Sequence, residues 1–153
     1  MNIRVVIDAS VWVSRLMPPE INHNTSSFWV ERFTAKGGLL AAPSFFLIEV
    51  AAGVSRQTRQ PSVSKKAIED LNNSNVIQFV SMDEVLTRAA VDVATNFQLR
   101  AGDAIYIALA HQLNLPLVSW DKDQLQKAST IITTYTPASY VFPQSESEVT
   151  GGK

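Results

Sequence analysis

The sequence predicts an α/β protein, a three-layer α/β/α sandwich around a mainly parallel sheet. Short β-rich runs alternate along the chain with segments of helical periodicity, which is typical of parallel strands joined by helical crossovers. The 153 residues are 46% hydrophobic and 18% charged, enough for one sizeable core. Without an internal repeat or linker, residues 1–142 are expected to form a single domain. Residues 143–153 are polar and are expected to be a disordered tail.

The N-terminal third contains one strand and two helices. The run "IRVVID" has the β-rich composition of a short buried strand. The segment "ASVWVSRLM" follows as a helix, which the next two residues, both prolines, would stop. A second helix is predicted in "TSSFWVERFTAKGG", where Thr25 or Ser26 can act as the N-cap and two glycines can end the helix.

The middle of the chain continues the alternation. The run "LLAAP" is a candidate strand, and "SFFLIEVAAGVSR" is predicted to be a largely buried helix. The segment "SVSKKAIEDLNNS" has the pattern of an amphipathic helix. The run "NVIQFV" alternates apolar and polar residues as a half-buried strand does.

The C-terminal part is predicted to supply two more helices and two strands. Ser81, followed three residues later by Glu84, predicts a capping box at the start of one helix. The almost entirely apolar run after Asp103 predicts a second helix that is buried on all sides. The strands are "PLVSW" and "TIITTY", separated by a short polar segment.

Composition and missing motifs narrow the possible functions. Without cysteine, the chain has no disulfide, zinc–thiolate site or cysteine nucleophile, and a cytoplasmic location fits this. We find neither a membrane-spanning run nor a signal peptide. The net charge of −1 is unlike that of many nucleic-acid-binding domains, although the stretch "VSRQTRQPSVSKK" is basic. Phosphate-binding glycine loops and the serine-hydrolase elbow are also absent.

Four carboxylates stand out because each one adjoins a hydrophobic run. They are Asp8, Glu49, Asp103 and Asp121. Two of them follow predicted strands, and parallel sheets bind ligands beyond the carboxyl ends of their strands. Grouped carboxylates repel one another unless a cation joins them, and Mg²⁺ and Mn²⁺ prefer oxygen ligands. The hypothesis is hydrolysis of a phosphodiester by water activated by one or two metal ions.

Each of these acids also has a purely structural interpretation. Asp8 and Asp103 are suitable N-caps for the helices that follow them. Asp121 suits a turn or a cap. Glu49 would be satisfied in the core by an ion pair with a basic residue such as Arg100. The catalytic hypothesis therefore depends on all four acids together and on their placement.

Three segments together resemble PIN-domain proteins, and more narrowly the VapC-type toxins of toxin–antitoxin systems. They are "VVIDASVWVS", "FLIEVAAGVSR" and "LRAGDAIYIALAHQLNLPLVSWDKD", and the resemblance extends from about Ile3 to Val141. It implies an endoribonuclease that depends on Mg²⁺ or Mn²⁺ and cleaves RNA. It also implies a cognate antitoxin protein as inhibitor and a homodimer.

The resemblance also assigns residues. Asp8, Glu49, Asp103 and Asp121 match the acidic metal site of the family. Accessory positions are matched by Asp123, Ser10 and Ser119. Arg100 precedes Asp103 by one helical turn if the helix begins early, and it would either hold the Asp103 carboxylate or bind an RNA phosphate.

The chain departs from the family pattern at two positions, and other functions stay open. Trp120 is bulky beside Asp121, where it either shapes the groove or packs, and Gly53 stands where a larger or polar residue is common. Neither departure removes an acid. The main alternative is a non-catalytic PIN-like module that binds RNA or a protein. A phosphatase that uses the same acids is a third hypothesis.

Overall fold

The computed structural model describes residues 3–144, which form a five-stranded, all-parallel sheet with seven helices. The strands lie in the order β3-β2-β1-β4-β5. Their bounds are Arg4–Ile7 (β1), Leu39–Pro43 (β2), Ile77–Val80 (β3), Leu117–Val118 (β4) and Thr134–Tyr135 (β5). The helices are Ala9–Leu16 (α1), His23–Ala35 (α2), Phe45–Thr58 (α3), Pro61–Asn73 (α4), Glu84–Phe97 (α5), Ala101–Leu113 (α6) and Lys122–Ala128 (α7). The predicted α/β class and parallel sheet are confirmed.

The central strand β1 explains why its sequence is a continuous apolar run. It pairs in parallel with β2 on one side and β4 on the other, with Val6 opposite both Ala41 and Leu117. Val5, Val6 and Ile7 are fully buried. A parallel strand covered on both faces needs apolar residues at successive positions instead of alternate ones.

Helix α6 is buried as its composition predicts. Its central residues are almost completely inaccessible, and it contacts α5 and the strands β1, β2 and β4. The helix starts at Ala101, two residues before Asp103. Asp103 therefore lies in the first turn, where a negative charge is favoured by the helix dipole, and the prediction that it could be the N-cap was wrong.

Two helix starts differ from the sequence prediction. Helix α2 begins earlier, after Asn22, and Ser26 lies inside it with its hydroxyl 2.6 Å from that of Ser14. Helix α5 is capped by Asp83, whose carboxylate accepts from the backbone N–H of Leu86 at 2.8 Å. Asp83 has the extended backbone of an N-cap and directly precedes the helix, so the capping box from Ser81 was wrong.

The C-terminal region differs most from the prediction. The short polar segment after Asp121 forms helix α7, because Leu125 and Ala128 are buried on one of its faces. The last strand is shorter than predicted. The backbone N–H groups of Ile131 and Ile132 both donate to the carbonyl of Ala128 at 3.0 Å, which keeps them out of the sheet.

The last described residues return to the body of the protein. The Tyr140 ring lies 5.6 Å from the Trp29 ring and 5.7 Å from the Phe33 ring, both on α2. Of the predicted disordered tail, residues 145–153 lie outside the described residues, so that prediction stays untested, as does the domain boundary at residue 142. No helix in the described part of the chain is long and apolar enough to cross a membrane.

Candidate active site

Two of the four acids lie at the carboxyl ends of adjacent strands. Asp8 directly follows β1, and Asp121 follows β4 by three residues. Ile7 and Val118 are partners in the two strands, and the backbone N–H of Asp8 donates to the Val118 carbonyl at 3.0 Å. The pairing of β1 with β4 therefore brings both carboxylates to one edge of the sheet, where α/β proteins bind ligands.

Two helices bring the other acids to the same place. Glu49 lies on α3 and Asp103 on the first turn of α6. All four carboxylates line one open cavity of about 550 Å³. Other residues that matter at this cavity are Ser10, Phe45, Arg56, Arg100, Gly102 and Trp120. Acids that are distant in the sequence thus converge on a single site.

Asp8 is the most buried of the four carboxylates, with 7% of its surface exposed. Its Oδ2 atom accepts from the backbone N–H of Ser10 at 3.2 Å, which caps α1, and from the Ser119 hydroxyl at 3.0 Å. Burial raises the pKa of Asp8, and these hydrogen bonds only partly offset that effect. The predicted capping role is thus present, and the same side chain also faces the cavity.

Glu49 has a buried oxygen without a partner. Its Oε1 atom makes no hydrogen bond of good geometry within the described residues, although the buried hydroxyl of Tyr106 lies near enough to lower the pKa of Glu49. Burial is the main cause that raises the pKa of Glu49, with further contributions from the charges of Asp8 and Asp103. The ion pair between Glu49 and Arg100 that the sequence allowed is not formed, because Arg100 faces the two aspartates.

Arg100 bridges Asp103 and Asp121. Its Nε atom lies 3.4 Å from Oδ2 of Asp103, and its Nη2 atom lies 3.2 Å from Oδ2 of Asp121. Burial is the main cause that raises the pKa of Asp103; the Asp121 charge adds to it, and Arg100 lowers it. Asp121 also caps α7 by accepting from the backbone N–H of Gln124 at 3.1 Å.

Ser10 and Ser119 connect the strand ends. The Ser119 hydroxyl donates to Asp8 and accepts from the backbone N–H of Asp121 at 3.0 Å. The Ser10 hydroxyl accepts from the backbone N–H of Trp120 at 3.1 Å and lies 3.4 Å from that of Ser119. Both serines therefore fix the positions of acids, and their accessory role in catalysis stays a prediction.

Asp123 does not line this cavity. It lies on the exposed face of α7, where its carboxylate pairs with Lys127 at 3.2 Å. The spacing of two residues after Asp121 could not reveal this, because a helical turn begins between them and directs the two side chains differently.

Sequence reasoning missed two residues at the site. Tyr106 is three residues after Asp103, one helical turn along α6, but an aromatic residue in an apolar helix also fits simple core packing. Gly102 lies against Glu49, and a Cβ atom there would come within 3.6 Å of Glu49 Oε2 and 3.2 Å of the Phe45 ring. A side chain at this position would therefore require the Phe45 ring to shift by a few tenths of an ångström, while its contact with Glu49 would be an ordinary one.

The donors at the cavity suit a hydrated hard cation. Among residues 3–144, no three His, Asp or Glu side chains converge closely enough to enclose an ion. Mg²⁺ does not require such a cage, since it keeps several waters and is usually held by one or two carboxylates. A bound cation would give the unpartnered oxygen of Glu49 a partner. It would also lower the pKa values of the three acids that burial raises.

The fold and the cavity define an α/β protein with one acidic site at the carboxyl edge of a parallel sheet. Residues 5–129 match the model of the PIN domain. The chain therefore belongs to the PIN domain family. No curated protein sequence matches the chain at a significant level.

Solved structures of low sequence identity share the fold. VapC20 from Mycobacterium tuberculosis, a sarcin–ricin loop cleaving toxin, superposes with a TM-score of 0.68 at 16% identity, over 84% of this chain and 96% of that one. VapBC2 from Rickettsia felis, bound to a DNA fragment from its promoter, superposes with a TM-score of 0.66 at 14% identity, over 88% of this chain and 98% of that one. A toxin–antitoxin complex from Klebsiella pneumoniae superposes with a TM-score of 0.61 at 16% identity, over 87% of this chain and 97% of that one.

Proposed function

We propose that this protein is a metal-dependent endoribonuclease. The observation that carries the proposal is the convergence of four carboxylates, from two strand ends and two helices, on one open cavity. Membership of the PIN domain family, whose members are typically nucleases, supports it. A surface role alone does not explain why acids with raised pKa values are grouped at one edge of the sheet.

In this proposal Asp8, Glu49, Asp103 and Asp121 hold hydrated Mg²⁺ or Mn²⁺, one or two of them directly and the others through the waters of the ion. A bound ion would supply a more acidic water and neutralise charge on the leaving oxygen. Ser119 and Ser10 keep Asp8 and Asp121 at fixed positions through the hydrogen bonds at the strand ends.

The direct test is cleavage of a mixed RNA pool in Mg²⁺ or Mn²⁺, with and without EDTA. We expect the wild type to cleave, and we expect Asp103→Asn to lower the rate by at least about 100-fold, since even residues behind a metal ligand contribute 10–100-fold. The matched control is Asp92→Asn, which removes an exposed acid on α5 and leaves the rate unchanged. EDTA should abolish cleavage.

The outcomes separate the three hypotheses. If a folded wild type binds Mn²⁺ in calorimetry and releases phosphate from small esters but leaves RNA intact, it is a phosphatase. If it binds RNA but neither binds metal nor cleaves, it is a binding module. Activity that survives both Asp103→Asn and EDTA would contradict the proposed function.

We further propose that the protein is the toxin of a toxin–antitoxin pair and forms a homodimer. The similar folds of a toxin–antitoxin complex from Klebsiella pneumoniae and of VapC20 support this role. Expression should arrest growth, and co-expression of the protein encoded by the neighbouring reading frame should relieve the arrest and yield a co-purifying complex. A monomer in light scattering at micromolar concentration would contradict the dimer.

A further inference from the structure

We propose that Trp120 is a stacking surface for an unpaired nucleobase beside the acidic cavity. The inference rests on the proposed function in one respect, namely that RNA is the ligand. The inference narrows the proposed substrate to a single-stranded or unpaired segment of RNA. The protein would bind this segment through a base as well as through its phosphates. Trp120 would then be a specificity-determining residue, outside the set of acids.

Trp120 is placed differently from the other two tryptophans. Trp12 and Trp29 are buried in the core, with 5% and 1% of their surface exposed. Trp120 is only partly buried, lies between Ser119 and Asp121, and lines the cavity with the four acids. An aromatic ring in this position lies beside the site where a phosphodiester would bind.

Two hydrogen bonds hold Trp120 in place. Its indole Nε1–H donates to the hydroxyl of Ser26 at 2.8 Å, and its backbone N–H donates to the hydroxyl of Ser10 at 3.1 Å. Ser26 is fully buried in α2 and is itself 2.6 Å from the hydroxyl of Ser14. The ring is therefore fixed before any ligand binds, and a ligand that stacks on it loses little side-chain entropy.

The charges of the side chains around the cavity favour contacts to bases over contacts to phosphates. Five carboxylates, namely those of Glu20 and the four acids described above, and only two arginines line the cavity, and the whole chain has a net charge of −1. Proteins that bind nucleic acid mainly through phosphates use clustered lysine and arginine, and their affinity falls steeply with salt. This cavity offers little such attraction, so much of the affinity for RNA has to come from elsewhere.

Aromatic stacking can supply that affinity. Every base has a π-face, and stacking on an aromatic side chain contributes substantially to single-strand binding without sequence preference. Phe45 lines the same cavity and offers a second ring. In a duplex the faces of the bases are covered by their neighbours, so the arrangement favours unpaired RNA.

Tryptophan fluorescence tests this inference in EDTA, where the proposed nuclease does not turn over. The probes are a mixed-sequence oligoribonucleotide of about ten residues, the same length of abasic ribose-phosphate and a duplex of that length. We expect the single strand to quench the fluorescence, and the abasic oligomer and the duplex to bind about tenfold more weakly. Trp120→Leu should lose the quenching and bind the single strand about tenfold more weakly.

Two variants control for folding and for the source of the signal. Trp29→Phe removes a core tryptophan and should retain the quenching. If Trp120→Leu does not fold, Trp120→Phe is used in its place. This variant keeps an aromatic ring, so it should retain binding while losing the fluorescence signal of the Trp120 indole. Equal binding of the single strand and the abasic oligomer, or wild-type affinity in Trp120→Leu, would overturn the inference, as would a complete failure to bind RNA.

Cleavage data separate this inference from the proposed function. If the single strand binds with quenching but is not cleaved in Mn²⁺, the stacking surface stands and the nuclease proposal fails. If RNA is cleaved and Trp120→Leu has an unchanged KM, the nuclease proposal stands and the stacking surface fails. If both the nuclease proposal and the stacking surface are correct, Trp120→Leu raises KM more than it lowers kcat.

Discussion

In the metal-free protein, Arg100 supplies the positive charge between two carboxylates of the site. It contacts both Asp103 and Asp121, yet 79% of its side chain is exposed. An exposed arginine is held weakly, because solvent screens its ion pairs. A cation that binds the same two carboxylates would repel the guanidinium and displace it. Arg100 and metal are therefore expected to compete.

We predict that Arg100→Gln raises the affinity for Mn²⁺ by about twofold to fivefold, the range expected for exposed ion pairs. Calorimetric titration measures the change. Arg88→Gln is the matched control, since Arg88 is an exposed arginine on α5 that pairs with Glu84 away from the site, and it should leave the affinity unchanged. Weaker binding by Arg100→Gln would mean that Arg100 orients the carboxylates instead of competing for them.

The residues of the site differ in how well a single sequence reveals them. The positions of Asp8 and Asp121 were predictable because a residue at or just beyond the end of a buried parallel strand lies at the carboxyl edge of the sheet. Glu49 stood out as an acid within an apolar helix. The placement of the Tyr106 hydroxyl near Glu49 was not predictable, because an aromatic residue at this spacing in an apolar helix is also typical of an ordinary core position. Where its hydroxyl points depends on α3, which is distant in the sequence.

Helix starts show what local sequence does and does not determine. Ser81 with Glu84 has the pattern of a capping box, yet Asp83 has the extended backbone and accepts the N–H of Leu86. Two candidate caps lay within three residues, and the local pattern could not choose between them. The register of α5 is set instead by which of its residues, Leu86 and Ala90, are buried.

The two caps can be distinguished by mutation. Asp83→Ala should lower the free energy of unfolding by about 1 kcal/mol, the usual effect of removing an N-cap, and the melting temperature by about 3 °C. Ser81→Ala should change neither, because its side chain makes no capping bond in the described structure. Thermal melts of both variants in one buffer measure the difference. An equal loss in both would mean that Ser81 also holds the start of α5.

Longer-range packing decided the elements that the sequence left unclear. The strand β1 and helix α6 were predictable because burial on all sides requires apolar residues at nearly every position. Helix α7 was not, since its seven residues are mostly polar and depend on a cap from Asp121 and on buried Leu125. Short elements at the edge of a sheet take their form from neighbours that no local window contains.

At the scale of the whole molecule, the fold raises the free energy that is needed to ionise the carboxylates. The sheet and two helices place Asp8, Glu49 and Asp103 in one cavity, where burial raises the pKa of each. A group whose pKa is higher in the folded than in the unfolded chain binds protons more tightly when folded. The folded state is then favoured at low pH and loses this contribution as pH rises through the raised pKa.

This sign gives a prediction for the metal-free protein. In EDTA, Asp8→Asn should melt at a higher temperature than the wild type at high pH, and the difference should shrink as the pH falls through the raised pKa of the wild-type carboxyl. Asparagine keeps the cap of α1, since its side-chain oxygen accepts from Ser10 as aspartate does. The change therefore tests charge and not capping.

Added metal should reverse the order of the two proteins at high pH. A cation that joins the carboxylates stabilises the folded wild type, by about 2.7 kcal/mol when its concentration is 100 times the dissociation constant. Asp8→Asn, which lacks one donor, should gain less, so the wild type should melt higher in Mn²⁺. Thermal melts at several pH values, with EDTA and with Mn²⁺, give the four curves required. A difference in EDTA that does not change with pH would mean that Asp8 is not destabilised by burial. Equal stabilisation of both proteins by Mn²⁺ would place the ion away from Asp8.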